Sequence, residues 1–496
     1  METVLPHPAL GTKLAYLDEI RCPDDEERFK EFAESGTPCV LRGLASQWPF
    51  VLQRSPAPNS AASATPPAPP PAGGLGAELR RRMGSRTCRV SFEPGPTLFG
   101  FDVPEGWSAP ALGDRCPDEV VEVAEDGNGQ PRLVNPGRLS MPFASFWEAC
   151  EGKCRGGSSS SKSVARVRNE PYDLEEQDLA VAQSHHGPSD APFDVPLRVL
   201  ERFALYCVED AKDWPQDVLD SLSAEDPAAS LLPAWRPRLA ERRLWMSAGG
   251  PAPAPPSAEA EAPDAKAPGA GGAGAGATAA ITAGFHWDHM QNIHVVLSGA
   301  KEFFLLPPLA APALHATRFC QQAQWHLRPD GVATLEAMQS CESSSDYAVV
   351  ALNEDYATNS SRCSAMQEVW AEHQPLWSVL RAGDAIYIPP GWWHSVRTWQ
   401  PRLAEQGVPF SLSVNFWYTL TDDAAAAHRS KLFTLQVLSC QRAMVGNPLT
   451  HLEKFWAKLE AQGCRSDAWA RYDDSLRREG TADSPRRDSE GYEWAD

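Results

Sequence analysis

The stretch FHWDHMQNIHVVLSGAKEFFLLPP, Phe285 to Pro308, gathers imidazole, carboxylate and amide groups at its start and turns almost wholly apolar afterwards. Two apolar runs flank Ser298-Gly299-Ala300, the pattern of a β-hairpin. In a strand, residues i and i+2 share a face, so His286 and Asp288 would offer an imidazole and a carboxylate side by side to one ion. The motif alone is weak. With 12 His and 65 acidic residues among 496 positions, about 1.6 H-x-[DE] matches arise by chance, and the chain has two. The other, His451-Leu452-Glu453, lies in a tail with helical spacing and reads as solvent-facing.

A third ligand has to come from elsewhere, and His394 in GDAIYIPPGWWHSV is the best candidate. It follows a strand and a Pro389-Pro390-Gly391 turn, beside Trp392 and Trp393, which with Trp417 could wall a dry pocket. Two His and one carboxylate on adjacent barrel strands leave three octahedral positions open, an arrangement suited to non-haem Fe(II) and O2. Tetrahedral zinc is the rival ion, and the plain alternative is that these histidines only satisfy hydrogen bonds.

Working outward, SVLRAGDAIYIPPGWWHSVRTW (Ser378 to Trp399) and FSLSVNFWY (Phe410 to Tyr418) supply more short strands with Gly/Pro punctuation. Upstream, CRVSFEP, RFALYCVED and RRLWMSA read as strands and MPFASFWEAC as a helix. Asp24 to Pro49 reads as an amphipathic helix, a Gly36 stop and a short strand through Cys39-Val40-Leu41. The expected fold is mainly β with flanking helices, a jelly-roll or barrel core. At the far end, Asn447 as cap, Pro448, the spacing of Leu452, Phe455, Trp456 and Leu459, and Gly463 predict two closing helices.

Two low-complexity tracts interrupt this pattern. Ser55 to Gly74 is Pro/Ala-rich, and 26 of the 32 residues from Gly249 to Ala280 are Ala, Gly or Pro with no aromatic or branched aliphatic side chain, so neither can feed a core. The chain divides into an entry segment (1–54), an insert (55–77), a first folded block (78–248), a second insert (249–280), the metal-bearing core (281–420) and a helical, polar tail (421–496).

A formal charge of −20, with no basic stripe beyond Arg80-Arg81-Arg82, argues against nucleic acid as partner. Neither a leader pattern nor an apolar run of membrane-spanning length is present, so a soluble, intracellular protein is expected. Twelve scattered cysteines argue for reduced thiols, and Cys150 and Cys154 lack the two further nearby ligands that zinc would need.

The run from Phe285 to Pro308, followed by RAGDAIYIPPGWWHSV and SLSVNFWY, resembles the JmjC-domain, cupin-like Fe(II)/2-oxoglutarate oxygenases, most of all the small JmjC-only protein hydroxylases. GTPCVLRGLASQWP resembles the start of that domain, so the likeness runs from about Phe29 to Tyr418 across the inserts. It implies a double-stranded β-helix with Fe(II) held by His286, Asp288 and His394, and with 2-oxoglutarate and O2 as cosubstrates. By the same resemblance Lys301 pairs with the remote carboxylate of 2-oxoglutarate, a role that suits a lysine among apolar neighbours. Its plain alternative is a lysine at a solvent edge. Asn292 and Asn415 would donate amide hydrogens to the cosubstrate, and Tyr206 would help to hold it. Thr282 would supply a hydroxyl, although it stands four residues before His286 where the family residue stands three before. The pattern places neither His289 nor His294 on the metal, and His294 is expected to line the pocket or pack.

The reaction so implied is hydroxylation of a protein side chain, lysyl or asparaginyl, with release of succinate and CO2. A protein substrate, with a basic target for an acidic surface, is the expected partner, and the closing helices could pair two copies. Other members modify tRNA or demethylate lysine, and a cupin that has lost catalysis and serves as a scaffold is the alternative from a different class.

Overall fold

The structure is a computed structural model, and it describes residues 5–6, 13–22, 25, 27–52, 74–94, 97–98, 100–102, 132–154, 163–170, 191–222, 226–248, 281–288, 290–310, 314, 319–343, 348, 373, 375–399 and 408–419. Eight strands make its centre. They are β1 (Leu239–Ala248), β2 (Ile281–His286), β3 (Gln291–Ser298), β4 (Ala300–Leu306), β5 (Leu376–Arg381), β6 (Ala385–Ile388), β7 (Trp393–Trp399) and β8 (Ser411–Tyr418). They form two facing antiparallel sheets, β1-β8-β3-β6 and β5-β4-β7-β2. This is the expected jelly roll.

Every residue of β3, β4 and β8 is buried, which explains their unbroken apolar reading: each of these strands is covered on both faces. Between the sheets pack Val296, Phe303, Leu305, Leu380, Ile386 and Ile388. On the outer side of the larger sheet, Ile293, Val295, Tyr387, Leu412, Val414 and Phe416 belong to the main core, together with residues from the helices. The helix Glu27–Ser35 contributes Phe29, edge-on to Tyr387 at 5.2 Å, and ends at Gly36, whose φ of +62° favours glycine. The helix Phe143–Cys154 brings Trp147 edge-on to Phe410 at 5.2 Å.

One expectation is corrected. The runs on either side of Gly299 are not a hairpin, because β3 lies between β6 and β8 while β4 lies between β5 and β7. Both edges of each strand are already taken. The chain instead turns a corner between sheets at Gly299, where φ is +78° and an added Cβ would meet the Trp399 carbonyl oxygen at 2.6 Å. That corner sets Lys301 on the sheet opposite Asn292 and His294, a position a hairpin would not give.

The larger sheet continues past β1 through Ala204–Asp210, Thr87–Glu93, Gly137–Pro142, Val164–Glu170 and Phe193–Pro196. At its other end Cys39–Arg42 pairs with β6, and Arg42 ties that edge down by donating to Asp384 and to the Val379 carbonyl, each at 2.8 Å. Arg80 pairs with Glu148, and Arg81 and Arg82 with Glu78, so the one basic triplet is answered within the fold. The helix bearing it, Gly74–Met83, begins inside the last residues of the 55–77 segment. Cys150 is a buried free thiol whose pKa burial pushes up, the opposite of a metal-ready thiolate. Among the described residues no helix is long and apolar enough to cross a membrane. The 249–280 insert, His289, His451 and the two closing helices, with any pairing of copies through them, lie outside the described residues.

β1 ends at Ala248 and β2 resumes at Ile281, so a shorter connection leaves both ladders intact. Loop-closure entropy grows slowly with length, and replacing 251–277 by a short Gly/Ser turn is expected to shift Tm by no more than about 3 °C. A scanning-calorimetry midpoint that fell by 10 °C or more would make the tract part of the folded domain.

Candidate metal centre

β2 and β7 pair so that His286 stands opposite His394, after a register shift beyond Ala283. The strand ends at His286, so Asp288 does not share a strand face with it as expected. The chain turns at Trp287, and the Asp288 carbonyl is fixed by the Gly391 N–H at 3.0 Å, from the Pro-Pro-Gly turn before His394. The turn therefore holds the carboxylate beside the histidine. Ligand atoms of His286, Asp288 and His394 all lie within 4.8 Å of one another, the one such group of three or more His, Cys, Asp or Glu among the described residues.

The imidazoles are aimed by their far nitrogens. His286 Nδ1 lies 2.8 Å from the Gly284 carbonyl and His394 Nδ1 3.0 Å from the Trp392 carbonyl. Each carbonyl accepts from Nδ1–H, which makes Nε2 the nitrogen that each ring would turn to a metal. Burial first, then neighbouring His286, pulls the His394 pKa down to about 4 against the opposing pull of Asp288, so the ring is neutral at pH 7. For Asp288, burial works to raise the pKa, but His394, His286 and hydrogen bonds from Trp417 and Asn292 outweigh it and hold the carboxyl below its ordinary value. A neutral His394 and an ionised Asp288 are the forms in which these two groups bind a divalent ion.

Asp288 is oriented by a polar relay. Trp417 Nε1 and Asn292 Nδ2 both donate to Asp288 Oδ2 at 3.2 Å, and Asn415 Nδ2 donates to Asn292 Oδ1 at 2.9 Å. Asn292 and Asn415, expected to donate to a cosubstrate, both line the cavity beside the metal group and are linked in this relay because β3 and β8 are neighbours.

The group opens into a cavity of about 760 Å³, also lined by Lys301, His294, Asn415, Tyr206, Trp245 and Thr398. Tyr206 packs on Trp245 at 5.3 Å, and Trp245 on Trp417 at 6.1 Å, making an aromatic wall. Trp392 and Trp393, expected in that wall, are not in it. Trp393 is fully buried, and Trp392 Nε1 donates to the Gly36 carbonyl at 2.9 Å. Thr282 is displaced too, since strand alternation turns Ile281 and Ala283 toward the cavity and leaves Thr282 off its lining. The sequence reading missed Trp245 and Thr398. Both sit in strands it had found; Trp245 stands between the core residues Leu244 and Met246, and that alternation was its available signal, whereas Thr398 stands between Arg397 and Trp399 and offered none.

Lys301 is 4% exposed and has no carboxylate partner among the described residues; burial alone pulls its pKa down to about 7. The unfolded chain then binds more protons than the folded one between about pH 7 and 10.4, so stability rises with pH across that window. Lys301→Met is expected to raise Tm most at or below pH 7, with the gain shrinking as pH climbs toward 10. Melting curves at pH 6.5, 8 and 9.5 check this, and a gain that did not change with pH would put the ammonium in contact with solvent.

A family model described as the cupin-like domain matches residues 25–424. The human "Bifunctional peptidase and (3S)-lysyl hydroxylase JMJD7" is 28% identical over 145 residues, which is 29% of this chain and 40% of that protein. From Arabidopsis thaliana, "Lysine-specific demethylase JMJ32" is 25% identical over 154 residues, 30% of this chain and 42% of that one. "Lysine-specific demethylase JMJ31", also from Arabidopsis thaliana, is 26% identical over 141 residues, 28% of this chain and 19% of that one. The chain thus spans less than half the length of each of these curated relatives. With the jelly roll, the His-Asp-His group and a family match over most of its length, the chain belongs to the cupin-like, JmjC-type family.

Proposed function

We propose that the protein is an Fe(II)- and 2-oxoglutarate-dependent dioxygenase that hydroxylates a protein side chain and releases succinate and CO2. The observation that carries this reading is the pairing, in one cavity, of a two-His, one-carboxylate group with a buried lysine that has no carboxylate partner among the described residues. The donor set fits the metal: His286, Asp288 and His394 would hold Fe(II), for which two imidazoles and a carboxylate are suitable ligands. Bound iron would supply the oxidative chemistry that couples decarboxylation of 2-oxoglutarate to insertion of one oxygen atom into a C–H bond.

The chain's own residues do the rest. His286, Asp288 and His394 hold the metal, and the Asn415–Asn292–Asp288 relay with Trp417 keeps the carboxylate in place. Lys301 anchors the dicarboxylate; an anion beside it would restore its charge and offset the cost of burying it. Tyr206, Trp245 and Trp417 exclude water from one side.

A protein substrate is favoured by the human relative named as a lysyl hydroxylase. Demethylation of lysine is the second reading, and it rests on the two plant relatives named as demethylases. The scaffold alternative is disfavoured because all three ligand positions and Lys301 keep side chains able to bind. The test is mass spectrometry of lysate proteins and RNA after incubation with the protein, Fe(II) and 2-oxoglutarate. Hydroxylation adds one oxygen atom to a peptide, demethylation removes a methyl mass, and a gain on RNA alone would overturn the protein-substrate reading.

A further inference from the structure

His294 lines the cavity and is not one of the three residues of the metal group. It lies on β3 opposite Asn415 of β8, is 5% exposed, and its Nε2 is buried without a hydrogen-bond partner. Its ring stands edge-on to Phe303 of β4 at 5.4 Å, two residues along the strand from Lys301 and therefore on the same strand face. Both His294 and Lys301 line the cavity, from opposite sheets. A buried polar atom without a protein partner is stabilised when a ligand supplies one.

The ligand chemistry follows from the neighbours. Burial first, then Lys301 and His394, push the imidazole pKa well below its ordinary value against the opposing pull of a hydrogen bond with Asn415, so Nε2 can carry a hydrogen without adding a second positive charge. A neutral N–H and an ammonium facing one space make a two-donor receptor for a carboxylate. The hydroxyl expected from Thr282 is absent from the cavity lining, which leaves the second donor to come from elsewhere. Thr398, opposite Lys301 in the β4–β7 register, and Tyr206, which lines the same cavity, are the competing candidates, but His294 carries the orphaned atom.

We infer that His294 is a cosubstrate-binding residue, donating Nε2–H alongside Lys301 to the remote carboxylate of 2-oxoglutarate. This rests on the proposed 2-oxoglutarate dependence and adds to it a residue that sets cosubstrate selectivity.

The test is equilibrium binding to the full-length protein loaded with Mn(II), by titration calorimetry, using 2-oxoglutarate and 2-oxopentanoate, which lacks the remote carboxylate. His294→Phe is expected to weaken 2-oxoglutarate about tenfold or more while leaving 2-oxopentanoate within about twofold. His294→Gln, which keeps an N–H donor, should recover much of the loss. Equal weakening of both ligands in His294→Phe would mean a packing role and overturn the inference. So would unchanged 2-oxoglutarate binding in His294→Phe with the loss appearing in Thr398→Val. Failure of the unaltered protein to bind 2-oxoglutarate at all would overturn the dioxygenase reading itself, and the two failures are thereby told apart.

Discussion

Asp288→Ala is expected to abolish turnover while the fold persists. Asp288 is the only carboxylate of the group, and the two imidazoles left behind make a far weaker site for a hard divalent ion. The loss should exceed the roughly 10–100-fold typical of removing a residue that only orients a ligand. The fold should survive because Asp288 stands past the end of β2, and its side chain is bonded to Asn292 and Trp417 at the cavity wall rather than to the core. Succinate formation and melting temperature, measured on the same preparation, check both halves. Undiminished succinate from this variant would remove Asp288 from the metal.

Lys301→Ala is expected to raise the KM for 2-oxoglutarate by roughly 10–100-fold, the range for losing a hydrogen bond to a charged partner. Iron affinity should change little, because Lys301 lies on β4 and is not among the ligands. Truncation also enlarges the cavity that Lys301 and Phe303 both line, so some loss of kcat is expected alongside. An unchanged KM would leave the buried ammonium without a function and would weaken the cosubstrate assignment at its strongest point.

Much of this was legible in the chain, for physical reasons that differ from residue to residue. The short strands were visible because Gly and Pro punctuate them and because their apolar runs are too short for buried helices. His286, Asp288 and His394 were candidates by residue type, but the H-x-D motif alone stands at chance frequency, and the resemblance of the flanking runs is what singled them out. The Gly299 corner was not. A turn within one sheet and a turn between two sheets present the same apolar–glycine–apolar text, and only the partners of each strand tell them apart. The same limit explains Thr282: the irregular pairing between Ala283 and His286 leaves spacing a poor guide to which side chains face the cavity. It also explains the tryptophans, for Trp392 and Trp393 are adjacent to the ligand in sequence, whereas Trp245 and Trp417 reach the site from β1 and β8 across strand pairing. The orphaned Nε2 of His294 could not be read from sequence at all, because an unsatisfied atom is a property of its neighbours.

Metal-dependent decarboxylation tests the dioxygenase reading most directly. With [1-14C]-2-oxoglutarate, Fe(II) and air, the purified full-length protein is expected to release 14CO2 and to form succinate in equal amount, even without a substrate protein and then only slowly. Release should stop when Fe(II) is chelated and should be absent in Asp288→Ala. If the unaltered protein released no more 14CO2 than Asp288→Ala under the same conditions, the His286-Asp288-His394 group would not be an oxygenase centre.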